Sequence, residues 1–123
     1  MLFIVICRYW NRGKVTWSFK KFSSEKLAIL DIIHQLQDDI SYAIGINYYP
    51  DSYKKLVELE VEKTLRNKKI IWGECNKYEK IRYQIITLES DSVEEFSFGD
   101  DENTYDDEIT IDEIFEQIDS NNN

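Results

Sequence analysis

The stretch Leu2-Phe3-Ile4-Val5-Ile6-Cys7-Arg8-Tyr9 decides the fold. It is apolar and β-branched, which predicts a strand. Its apolarity is nearly continuous, so the strand belongs inside a sheet, covered on more than one side. Asn11-Arg12-Gly13-Lys14 follows as a turn, with Gly13 supplying positive φ at little cost. Residues 15–22 then read as the hairpin partner. Val15, Trp17 and Phe19 alternate with Thr16, Ser18 and Lys20, giving one buried and one wet face.

Beyond the hairpin the period changes. Ile29, Ile33, Leu36, Ile40 and Ala43 recur at spacings of four and three, one apolar stripe of a helix over about 24–43 that should lie on the sheet. Ser23 is the expected N-cap, Phe22 and Leu27 the hydrophobic staple around it, and Gly45 the stop. A second helix over about 53–66 follows a cap at Asp51 or Ser52, with Tyr53, Val57, Val61 and Leu65 every four residues. Residues 57–62 also alternate apolar and acidic, which fits a strand; the wealth of Glu, Leu and Lys favours the helix. Residues 70–75 and 78–88 read as a second hairpin across Asn76-Lys77. The expected class is α+β: an antiparallel sheet of about four strands in ββααββ order, helices packed on one face, and an acidic C-terminal segment ending in a short helix.

Charge divides the chain at residue 88. Residues 1–88 hold all fifteen Lys and Arg against ten acids, a net of +5; residues 89–123 hold fourteen acids and no base, a net of −14, and the chain totals −9. The expected organisation is a compact body, 1–88, and an acidic segment, 89–123. Within that segment Thr110 and Glu113 form a capping box, and Ile111, Ile114, Phe115 and Ile118 line one side of a two-turn helix. A helix so short is marginal alone and must dock, on the body or on a second copy. The basic hairpins are its expected electrostatic seat.

No catalytic or metal-binding constellation emerges. His34 is the only histidine and falls on the first helix, where a structural or solvated role is the plain reading. Cys7 and Cys75 have no helix N-terminus or neighbouring base to lower their pKa, and read as free, buried thiols. The acids around Asp101 lack the glycine and glutamate positions of a calcium loop. The four glycines are too scattered to cradle a phosphate. The apolar run is far shorter than a membrane span and lacks the flanks of a signal peptide, so a cytoplasmic protein is expected. Neither enzyme activity nor a cofactor is expected.

Two functions follow. The first is an acidic inhibitor or immunity-type protein that blocks a basic, nucleic-acid-acting enzyme, its carboxylates standing in for phosphates. Phage antagonists of host defence and toxin-neutralising proteins have this character of charge and size. The expected contacts are Asp100, Asp101, Glu102, Tyr105, Asp106, Asp107, Glu108, Asp112, Glu113 and Glu116, anchored by Ile114 and Phe115. The second is a single-stranded nucleic-acid-binding body autoinhibited by its own acidic tail. Basic residues cluster at Arg8, Arg12, Lys14, Lys20, Lys21 and Lys26 in the first hairpin and just after it, at Arg66, Lys68 and Lys69 before the third strand, and at Lys77, Lys80 and Arg82 in the last hairpin; with Tyr9, Trp10 and Trp17 interleaved, these are the ingredients of a stacking surface. A dimer is compatible with either.

Overall fold

A computed structural model describes residues 1–73, 78–89 and 110–121. The elements are β1 (Leu2–Asn11), β2 (Lys14–Phe22), α1 (Glu25–Ile46), α2 (Tyr53–Lys68), β3 (Ile70–Trp72), β4 (Glu79–Leu88) and α3 (Ile111–Asn121). The four strands form one sheet in the order β2-β1-β4-β3, with every named pair antiparallel. The class is α+β, and the order through β4 is ββααββ, as the sequence leads one to expect.

β1 is central because both its faces are apolar. Phe3, Val5 and Cys7 pack with the helices, while Ile4 and Ile6 are buried outside that cluster. The β1–β2 turn places Arg12 at φ 50 and Gly13 at φ 84. Two successive left-handed residues match the twist of a two-residue hairpin, so the turn also strains Arg12, which sequence pattern does not reveal.

α1 runs later than its sequence signals indicate. Ser24, not Ser23, is the N-cap: its backbone is extended and its Oγ accepts from the Leu27 amide at 3.2 Å. That shift takes Phe22 and Leu27 off the staple positions. At the other end the helix passes through Gly45 and stops at Ile46, where the Asn47 amide still reaches the Ala43 carbonyl. All five stripe residues are buried, joined by Ala28, Ile32 and Ile44.

The 53–66 ambiguity resolves as helix α2, which runs on to Lys68. Val57, Val61 and Leu65 are sealed in the core, whereas Leu59, their alternation partner, lies in solvent. Ser52 caps by position but makes no side-chain hydrogen bond. The helix ends on Lys69 in the left-handed region at φ 64. Lys69 Nζ donates to Glu25 at 2.6 Å, and Arg66 reaches both Glu25 and Glu62, so one acid at the start of α1 holds the end of α2. Lys20 joins Asp31 at 3.2 Å, tying β2 to α1.

Gly73 follows β3 directly, and its amide donates to the Ile81 carbonyl at 2.9 Å. A Cβ here would fall on the Ile81 side chain, so the close approach requires glycine.

α3 docks on α2, not on the basic hairpins, so the electrostatic seat expected for it is corrected. Ile111, Ile114, Phe115 and Ile118 join the same core as α1 and α2. The Phe115 ring stacks on Tyr49 at 5.3 Å, and Tyr49 stacks on Tyr53. Apolar complementarity chose this seat: the aromatic cluster at the α1–α2 connection removes ring area from water, which exposed charge pairs at the hairpins cannot match. Thr110 begins α3, its Oγ1 accepting from the Glu113 amide at 3.2 Å, and bridges in parallel to Trp72.

Candidate functional site

The strand registers sort every side chain to one of two faces. Val5 and Tyr83 face the helices. Their neighbours in sequence face the other way, and this far face is the distinctive surface of the protein. β1 gives it Ile4, Ile6, Arg8 and Trp10; β2 gives Val15, Trp17, Phe19 and Lys21. β4 adds Lys80, Arg82, Gln84 and Ile86, and β3 adds Ile70 and Trp72. Four cations and three tryptophans stand on it. No strand residue on this face is an acid.

One row crosses all four strands. Trp17 lies opposite Arg8, Arg8 opposite Arg82, and Arg82 opposite Trp72. Trp10 stands beside Arg8 in the next row and stacks on Trp72, ring centroids 5.2 Å apart. The Arg8 guanidinium carbon lies 4.4 Å from the Trp10 ring centre and 4.6 Å from that of Trp17, so indoles flank it. Arg82 lies 5.7 Å from Trp10 and 5.8 Å from Trp72. Both guanidinium residues are buried, at 6% and 5% exposure.

This arrangement is electrostatically expensive. Like charges directly opposite on antiparallel strands repel, and a guanidinium cannot shed its proton. Ring quadrupoles recover part of that cost. The Arg8 Nε is nevertheless shut from solvent with no hydrogen-bond partner. Around the pair the surface is more accessible: Val15 is 40% and Phe19 46% exposed, and Lys21 and Lys80 lie in solvent. Cations at the centre, stacking rings beside them and further lysines at the rim suit an anionic, ring-bearing chain.

The apolar alternation of β2 is real, but it faces away from the helices rather than into the main core. The sequence clusters Arg8, Trp10 and Trp17 at the first hairpin and Lys80 and Arg82 at the last, but it neither unites the two groups nor adds Trp72; that takes the long-range β1–β4 and β3–β4 registers. The one local signal is Arg8 itself, a charge within an apolar strand.

The residues expected to meet a partner are placed as follows. Asp112, Glu113 and Glu116 lie in solvent on the outer side of α3, and Ile114 and Phe115 lie in the core at 1% and 3% exposure. Burial at that depth leaves neither as a surface anchor in this arrangement. Asp100, Asp101, Glu102, Tyr105, Asp106, Asp107 and Glu108 lie outside the described residues.

Among the described residues the remaining reactive groups do not converge, and Cys75 lies outside them. Cys7 is a free thiol on the helix side, its pKa raised chiefly by burial, which disfavours the nucleophilic thiolate. Tyr83, its cross-strand neighbour, is also pushed up, by burial first and then by the charges of Cys7, Asp39 and Asp31. His34 is exposed on α1. Among the described residues no three His, Cys, Asp or Glu side chains form a group that holds a metal, and no helix is long and apolar enough to cross a membrane. No protein-family model, curated protein or solved structure matches this chain.

Proposed function

We propose that the chain is a non-enzymatic module that binds single-stranded nucleic acid on the far face of its sheet. The observation that carries this reading is the Trp17–Arg8–Arg82–Trp72 row, set in a face whose described strand residues include four cations and no acid. Backbone phosphates meet the cations and bases stack on the exposed rings. The net charge of −9 works against such binding. The fourteen acids after residue 88 supply that opposition, so the tail acts as an electrostatic competitor that holds affinity down. The test is a titration of labelled oligothymidylate with the full chain at low salt, beside a duplex of equal length. Single-strand binding that weakens steeply with salt supports the reading. Equal binding of both forms, or none, defeats it.

A second reading is favoured by α3. The apolar side of this helix is spent on α2, so Asp112, Glu113 and Glu116 are held outward, and among the described residues none of the three makes an ion pair. A rigid acidic face suits an inhibitor that occupies the nucleic-acid cleft of a basic enzyme in the cytoplasm, as immunity and anti-defence proteins do. Replacing all three acids by their amides should then abolish capture and inhibition of that enzyme. Undiminished inhibition by the triple variant removes this reading.

A further inference from the structure

We propose that Arg8 is the seat of one backbone phosphate, and that the seat requires a guanidinium rather than any cation. The inference rests on the nucleic-acid reading and assigns its central contact. Trp10 and Trp17 stand within 4.4 and 4.6 Å of the guanidinium carbon, so ring contacts are already supplied by the chain. What remains is the fork of N–H donors. Nε has no acceptor, and among the described residues no oxygen bonds the terminal nitrogens.

A buried cation whose fork is unfilled calls for an oxyanion that accepts two parallel hydrogen bonds. Arg82 stands directly opposite on β4, so its charge adds to the positive field at the seat. Phosphodiester groups satisfy this demand, and their bases bring rings to the exposed Phe19 and the half-buried Trp17 nearby. Lysine in place of Arg8 keeps the charge but loses the planar fork and the stacking between indoles.

The test uses the full chain and oligothymidylate. Arg8→Lys should weaken binding by about tenfold or more with little change in the slope of log affinity against log salt, because the charge is kept, whereas Arg8→Gln should also remove about 0.7 from that slope, the share of one phosphate contact on a single strand. Lys21→Gln, an exposed cation on the same face, should cost only a few-fold. A second measurement needs no variant. Inorganic phosphate should displace the oligonucleotide from wild-type chain better than chloride at equal ionic strength, because only phosphate fits the fork. If wild type binds the oligonucleotide yet Arg8→Lys binds equally well, or phosphate competes no better than chloride, the seat is wrong and the broader reading stands. If wild type fails to bind at low salt, both fall.

Discussion

Tyr49 and Phe115 stack with ring centroids 5.3 Å apart and planes 6° from parallel, joining the α1–α2 connection to the last helix. The chain therefore folds back past its acidic stretch and closes its core with residues far from the body in sequence. Tyr53 extends the stack and its hydroxyl donates to Asp119 at 3.2 Å. Phe115→Ala removes this ring from a site 3% exposed and should cost about 3–5 kcal/mol. Urea unfolding measures it. A loss under about 1 kcal/mol would mean that α3 is not part of the folded unit.

Docking of α3 by apolar area also predicts a salt response. Ion pairs at a surface loosen as salt rises, and buried apolar contacts do not. Amides of Ile114, Phe115 and Ile118 should exchange slowly at low and at high salt alike. Fast exchange at high salt alone would assign the docking to charge.

Gly73→Ala tests the β3–β4 corner. The added methyl meets Ile81 Cγ2, with Asp39 and Leu36 close behind. Overpacking of this kind costs about 1–3 kcal/mol, read as a lowered urea midpoint with an unchanged slope. A neutral result would show that Ile81 moves aside freely.

Alkaline pH should destabilise the protein. Cys7 and Tyr83 both hold their protons above the ordinary values of 9.0 and 10.0, chiefly because they are buried. Above those values the unfolded chain releases protons that the native state keeps. Their contribution is therefore complete below pH 9.0 and declines as pH climbs past 9.0 and 10.0. Tyr83→Phe should flatten much of the decline in unfolding free energy between about pH 9 and 11. An identical decline in that variant would place its cause elsewhere.

The parts of this fold that read clearly in sequence are those with one unambiguous period. β1 shows itself by continuous apolarity, α1 by the stripe from Ile29 to Ala43, and α3 by Ile111, Ile114, Phe115 and Ile118. Residues 57–62 satisfy two periods at once, and only packing separates them: Val57 and Val61 are buried, Leu59 is not. The site was half legible for a different reason. Alternation in β2 shows that Val15, Trp17 and Phe19 share a face, but not whether helices cover it. Arg82 and Trp72 are 74 and 64 residues from Arg8 in the numbering, and only the sheet register sets all three in one row. The seat of α3 was illegible because charge suggested the hairpins, while Tyr49 and Tyr53, whose nearness to Phe115 no local pattern shows, supplied the better surface.

The tail should oppose binding by charge. Replacing Asp112, Glu113 and Glu116 by amides leaves the buried side of α3 untouched, since all three lie in solvent. Oligothymidylate affinity should rise a few-fold at low salt and converge with wild type at high salt, as screened charges do. Unchanged affinity at low salt would remove α3 from the competition.

On the proposed reading the far face, and not the helix side, meets the nucleic acid. Phe19→Ala with Lys80→Gln alters one exposed ring and one exposed cation on that face. Leu30→Ala with Lys26→Gln makes the matching change on the outside of α1. The decisive measurement is the Kd of oligothymidylate for both double variants and for wild type at one low salt concentration. A lost stacking ring costs about 1–3 kcal/mol, so the far-face pair should bind at least about fivefold more weakly while the helix pair stays within about twofold of wild type. Equal losses in the two variants, or a larger loss on the helix side, would contradict the account.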